Sequence, residues 1–136
     1  MSDTSSSTTA KNAGLDAKRV LANSGFLRVY AGVVPANADA SIGAAPLLVQ
    51  YTLSATAFAA ASGGTISANA ITAAAVLLDG VHSFWRIYAS NGTTCLWQGL
   101  TAVGASPVAN RLTYASSVLN AGGISSVPTF TLTEPS

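Results

Sequence analysis

From Gly25 onward the sequence divides into short segments rich in Val, Ile, Thr and aromatic residues, with a Gly, Pro or Asn turn signal between each and the next. This cadence argues for an all-β chain, an antiparallel β-sandwich of about seven or eight strands. Phe26–Tyr30 is predicted as the first strand. Residues 32–46, containing Val34-Pro35-Ala36-Asn37 and Ile42-Gly43, read as a long loop. Residues 47–53 follow as a strand with Val49, Tyr51 and Leu53 on one face and Gln50 and Thr52 on the other.

Residues 55–61 are short and bounded by Ser54 and Ser62-Gly63-Gly64, and are expected to form a strand anchored by Phe58. Residues 65–72 alternate weakly. Residues 81–89 alternate well and set Trp85 and Ile87 against Phe84, Arg86 and Tyr88. Asn91-Gly92 is the favoured pair for a type I′ turn, which would fold residues 94–100 back antiparallel. Residues 111–115 and 124–133 are predicted as a last pair around Asn120-Ala121-Gly122-Gly123, with Pro128 marking an edge or bulge.

Ahead of this β region, Leu15, Lys18, Arg19 and Ala22 fall at helical spacings and stop at Asn23-Ser24-Gly25, which predicts one short helix with a C-terminal cap. The Ser/Thr tract before it cannot bury enough apolar surface to offset its ordering entropy, so residues 1–12 are expected to be a flexible arm. A chain of 136 residues then has room for one domain over residues 13–136.

Composition bears on what such a domain does. Only 8% of residues are charged, against about 25% in an average soluble domain, while the 49% hydrophobic content comes largely from 26 alanines. A surface with so few ions is poorly insulated against association. The net charge of +1 is too small and too scattered for the electrostatic footprint of a nucleic-acid binder. The longest wholly apolar run, residues 73–78, is far short of a bilayer span, and the first ten residues lack the pattern of a secretory signal. One cysteine, Cys95, excludes an intrachain disulfide.

Chemical sites are sparsely encoded. His82 lies near Asp79 and Ser83, yet Asp79-Gly80 reads more simply as the turn entering the next strand. The carboxylates Asp3, Asp16, Asp39, Asp79 and Glu134 stand singly, so no glycosidase pair or cation cage is expected. The glycine pairs lack phosphate-loop and dinucleotide spacings, and no cofactor is expected. Cys95, in a strand with no nearby histidine, reads as a small buried hydrophobe. Trp85 and Trp97 on paired strands could form a sugar-stacking platform, although facing aromatics of a hairpin more often belong to a core.

Arg28 and Arg86 sit inside the apolar segments FLRVY and FWRIY. Such charges either face solvent or pair with carboxylates of another subunit, and with Ser5, Ser6, Ser7, Thr8 and Thr9 of the arm they form the expected interface.

The blocks LRVYAGVVPANADA, LLVQYTLSATAFAAASGGTISANAIT, FWRIYASNGTT and NAGGISSVPTFTLTEPS, in this order, resemble a family of small tailed-bacteriophage virion proteins akin to head decoration, or cement, proteins. The resemblance implies a compact β-sandwich, commonly a homotrimer, made in the bacterial cytoplasm and seated on the capsid exterior. Its partner would be the major capsid protein, with no catalytic residues, no direct nucleic-acid contact and no membrane. A tail, neck or baseplate adaptor is the alternative, and a carbohydrate-binding module a third reading.

Overall fold

The computed structural model describes residues 7–104, 110–114, 116–125 and 130–133. It is predominantly β, with one helix ahead of the strands. Helix α1, Thr8–Arg19, starts where the Ser7 hydroxyl accepts a hydrogen bond from Ala10 N at 3.2 Å, an N-cap that satisfies one of the first-turn amides. The helix therefore takes in residues 8–12 of the expected flexible arm, Thr8 and Thr9 included; Ser5 and Ser6 lie outside the described residues. A 3-10 turn, Val20–Ala22, ends it, followed by Ser24 at positive φ (58°).

Strand β1, Phe26–Tyr30, is the hub of the main sheet. On one side it pairs antiparallel with β2, Leu47–Thr52; on the other it pairs antiparallel with the strand Phe84–Tyr88. Between these come three short strands, β3 (Thr65–Ser67), β4 (Ala74–Ala75) and β5 (Gly80–Val81), so that Phe84–Tyr88 is β6. Then follow β7 (Cys95–Val103), β8 (Leu112–Tyr114), β9 (Val118–Leu119), β10 (Ile124–Ser125) and β11 (Thr131–Thr133). The main sheet has the order β2-β1-β6-β7-β8, and three two-stranded ribbons pair β10 with β4, β11 with β3 and β5 with β9.

The expected strand at β2 and the expected antiparallel β6–β7 pairing are present, while three other expectations need correction. Residues 55–61 form no strand beyond an isolated bridge between Phe58 and Ala68. Part of their backbone is held by helix-side groups: Asn23 Oδ1 accepts from Ala57 N (3.0 Å), Asp16 Oδ1 from Ala61 N (2.8 Å), and Arg19 donates to Phe58 O (3.2 Å). Only Ala59 N, donating to Ser67 O, and Ala57 O, accepting from Asn69 N, make strand-like backbone bonds; with the alternate groups taken by side chains the ladder does not extend beyond that bridge. Phe58 is nonetheless fully buried, as an anchor should be.

The second correction concerns the β6–β7 connection, which is not a two-residue type I′ turn. Gly92 has positive φ (74°), but Asn91 does not, so only one of the two required positions is left-handed. Instead Ala89 N donates to Thr94 O, and Asn91 Oδ1 accepts from both Thr93 N (2.9 Å) and Thr94 N (3.0 Å). The asparagine side chain mimics a backbone acceptor and makes a longer loop stable. Third, the two final segments do not pair with each other. β8 joins β7 in parallel, whereas β10 and β11 seek β4 and β3; Pro128 lies outside the described residues.

The core joins the helix to the inner face of the sheet. Leu15 packs in one cluster with Leu27, Val29, Val49, Tyr51, Phe58, Trp85, Ile87 and Leu132. At one end Tyr51 OH lies 2.9 Å from Tyr114 OH and 2.6 Å from Ser125 Oγ, a buried hydroxyl network between β2, β8 and β10. No helix among the described residues is long and apolar enough to cross a membrane.

Two outcomes test this packing. A Cβ at Gly25 would collide with the Tyr88 carbonyl oxygen and lie 2.9 Å from Ala22 O, both backbone atoms that cannot swing away. Gly25→Ala is expected to lower unfolding stability in urea by about 3 kcal/mol. Burial also pushes the phenols of Tyr30, Tyr51 and Tyr114 above their ordinary range. The folded chain thus holds these protons more tightly than the unfolded chain does. Its stability is fully present below about pH 10 and declines as pH rises further. Absorbance titration should show these three ionising only together with unfolding.

Candidate functional site

The centre of the outer sheet face carries a polar row. In register, Gln50 of β2 faces Arg28 of β1, Arg28 faces Arg86 of β6, and Arg86 faces Gln98 of β7. Two like charges directly opposite each other on neighbouring strands repel. The arrangement tolerates them because each guanidinium turns toward its outer neighbour. Arg28 Nε donates to Gln50 Oε1 at 2.6 Å and Arg86 Nε to Gln98 Oε1 at 2.8 Å. Arg28 also lies 4.4 Å from the Tyr88 ring centre and donates to Gly92 O at 3.0 Å.

Arg86, expected on a solvated face or at a subunit contact, is only 4% exposed. The cover is the chain's own loop, residues 31–46. Arg86 Nη2 donates to Asn37 O (3.1 Å) and Ala40 O (2.6 Å), and Gln98 Nε2 donates to Pro35 O (2.8 Å). The loop contributes its own turns: Asn37 Oδ1 accepts from Asp39 N, and Ser41 Oγ from Gly43 N. A stretch that reads as mere connection is therefore fastened to the sheet at three carbonyls. Arg86 is spent on its own chain and is not free to reach a carboxylate elsewhere. Arg28 is partly buried in the same row, and Ser7 is occupied at the helix cap.

His82 does not assemble with Asp79 and Ser83. Its ring nitrogens lie 2.7 Å from Thr101 Oγ1 and 2.7 Å from Ser116 O, while Ser83 Oγ donates to Gly32 O and Asp79 Oδ1 accepts from Ala121 N. Because a carbonyl can only accept, Nε2 is the donor to Ser116 O. The histidine thus ties β7 to the segment before β9. Cys95 lies partly buried at the start of β7 with Sγ toward Trp97 O, and burial pushes its thiol above the ordinary range. Fewer thiolates at neutral pH mean lower reactivity. Among the described residues no three His, Cys, Asp or Glu side chains come together as a metal site.

On the inner face, Trp85 is 1% exposed and meets the Phe130 ring edge-on at 5.0 Å, so it belongs to the core. Trp97 is only partly buried and packs against Phe58. Both tryptophans nevertheless line a half-open cavity of about 380 Å³, together with Lys18, Gly99, Asn110 and Thr133. The Trp85 indole Nε1 is buried without a hydrogen-bond partner.

Compared with protein-family models, curated proteins and solved structures, the chain finds no match in any of the three.

Sequence reasoning singled out both arginines but missed that glutamines receive them. A usable signal was present: each of the four strands carries one Arg or Gln amid mostly apolar or aromatic neighbours, as in FLRVY, LLVQYT, FWRIY and CLWQG. Replacing Arg86 by Met keeps most of the side-chain volume but strands two loop carbonyls and Gln98. R86M is expected to cost about 2–3 kcal/mol and to speed amide exchange across residues 36–41, measured by hydrogen–deuterium exchange.

Proposed function

We propose that this chain is a bacteriophage capsid decoration protein, a β-sandwich in which the short ribbons form the second layer, that binds the outside of the major capsid lattice and stabilises the head. It acts by contact rather than by reaction. The observation that carries this reading is apolar exposure combined with scarce charge. Val81 and Val118 face each other across the β5–β9 ribbon, and both are exposed; Leu77, Leu78 and Ile124, on or beside the β4–β10 ribbon, are exposed as well. Val33, in the loop fastened by Arg86, is 87% exposed.

Exposed aliphatic side chains on a chain with only 8% charged residues suit close docking, since few ions need to be stripped of water. The fastened loop adds preorganisation: much of its ordering cost is met during folding and not at docking. On a symmetric shell, many modest identical contacts sum to a large stabilisation. The resemblance of the ordered blocks to head decoration proteins points the same way.

The test is cosedimentation with purified heads of the phage that encodes the chain, with copy number from quantitative mass spectrometry. Decoration predicts on the order of hundreds of copies per particle. Six or twelve would instead place the chain at the tail, neck or baseplate, and no binding would end the proposal. The double substitution Val33→Asp with Val81→Lys falls on exposed side chains. It should leave stability within about 0.5 kcal/mol while abolishing cosedimentation.

A further inference from the structure

We infer that Asn91 is a site of spontaneous deamidation, held in check by the folded β6–β7 loop and independent of any docking on a shell. Of the seven asparagines, Asn91 alone is followed by glycine, and it is exposed. The glycine matters because a residue without a Cβ leaves its amide nitrogen unhindered and its backbone free to turn toward the preceding side chain.

In this reaction Gly92 N gives up its proton to solvent base and attacks Asn91 Cγ. The N–Cγ bond forms, the Cγ–Nδ2 bond breaks and the carboxamide nitrogen leaves as ammonia, closing a five-membered succinimide. Water then opens the ring. Addition at Cγ restores the main chain and gives aspartate; addition at the main-chain carbonyl carbon of residue 91 routes the chain through the side chain and gives isoaspartate. The balance is one water in and one ammonia out, with no oxidant or cofactor.

The loop treats the two reacting groups oppositely. Asn91 Oδ1 accepts from Thr93 N (2.9 Å) and Thr94 N (3.0 Å), so the carboxamide carbon is polarised toward attack and charge developing on its oxygen already has donors. The nucleophile, however, is tied down at both ends. Gly92 N donates to Ala89 O at 2.9 Å and Gly92 O accepts from Arg28 Nη1 at 3.0 Å, which fastens the glycine to the polar row of the sheet. The leaving group Nδ2 is held by Thr94 Oγ1 at 2.9 Å. The loop must open before Gly92 N can reach Cγ, so the folded rate is the unfolded rate reduced by the population of the open loop. The two products then diverge. Aspartate offers the same Oδ1 to Thr93 and Thr94, whereas the extra main-chain methylene of isoaspartate displaces Gly92 from Arg28. Either product takes the formal net charge from +1 to zero, and a chain without net charge associates and precipitates more readily.

The full chain would be incubated at mildly alkaline pH, folded in buffer and unfolded in guanidinium chloride. Samples digested at intervals are mapped by liquid chromatography and mass spectrometry, which separate asparagine, aspartate and isoaspartate at each site. The proposal expects Asn91 to react first of the seven asparagines in denaturant, and about tenfold or more slowly when the chain is folded. That slowing should match the protection of Gly92 N–H against hydrogen–deuterium exchange, since both need the same opening. Arg28→Met, which frees Gly92 O, and Thr94→Val, which frees Nδ2, should each raise the folded rate severalfold. Circular dichroism accompanies both variants, and the exposed Thr94→Val decides the matter if Arg28→Met unfolds the chain. Equal rates in buffer and denaturant would overturn the proposal. So would another asparagine reacting first in denaturant, or a folded rate that the folded variants leave unchanged.

Discussion

Two arginines facing each other at the middle of a sheet dictate how much of this molecule is arranged. The Arg28–Arg86 pair would repel if left alone, and neither guanidinium has a carboxylate within ion-pairing distance among the described residues. The charges are accommodated by neutral acceptors on either side, a glutamine for each and then backbone carbonyls. Satisfying Arg86 requires the 31–46 loop to lie over the sheet with Asn37 and Ala40 turned inward. The loop conformation is thereby coupled to the strand register. A shift of β1 against β6 would break the row of four polar residues and leave the loop carbonyls without donors.

This arrangement also divides the sheet into two chemically distinct sides. The outer side is polar at its centre, with aromatic flanks: Tyr30 stacks on Phe84 at 5.1 Å at one end, and Phe26 faces Tyr88 at the other. The inner side is apolar except for the hydroxyl network at Tyr51 and the unpartnered indole nitrogen of Trp85. All five residues of β6 are buried, a consequence of being covered on both sides. The exposed aliphatic residues lie away from this centre, on the ribbons and their flanks, the 31–46 loop, the second half of β7 and the 3-10 turn after α1.

The central strands were legible in the sequence because alternation and β-branched or aromatic residues dominate there. Phe26–Tyr30 is observed with the expected bounds, and the faces assigned to Val49, Tyr51, Gln50 and Thr52 match their burial. The ribbons were not legible, because a two-residue strand such as Ala74–Ala75 carries no periodicity and exists only through its distant partner. Residues 55–61 misled because β propensity is silent about side chains such as Asp16 and Asn23 that supply the backbone's partners. The burial of Arg86 was hidden for a related reason. Nothing in a loop of Ala, Pro and Gly announces that its carbonyls will fold down onto a strand. The close approach of Gly99 to the Trp85 indole depends on cross-strand register, which no single segment specifies.

The pairing of β1 with β6 has a bearing on biogenesis. Residues 26–30 meet residues 84–88 only after the intervening stretch has left the ribosome. Until then the nascent hairpin of β1 and β2 presents an open, aromatic-rich edge that holds an arginine without its cover. Closing so long a span before the sheet centre can form raises contact order and slows folding. The vulnerable interval in the life of this protein therefore falls during synthesis, when that unprotected edge invites chaperone capture or aggregation.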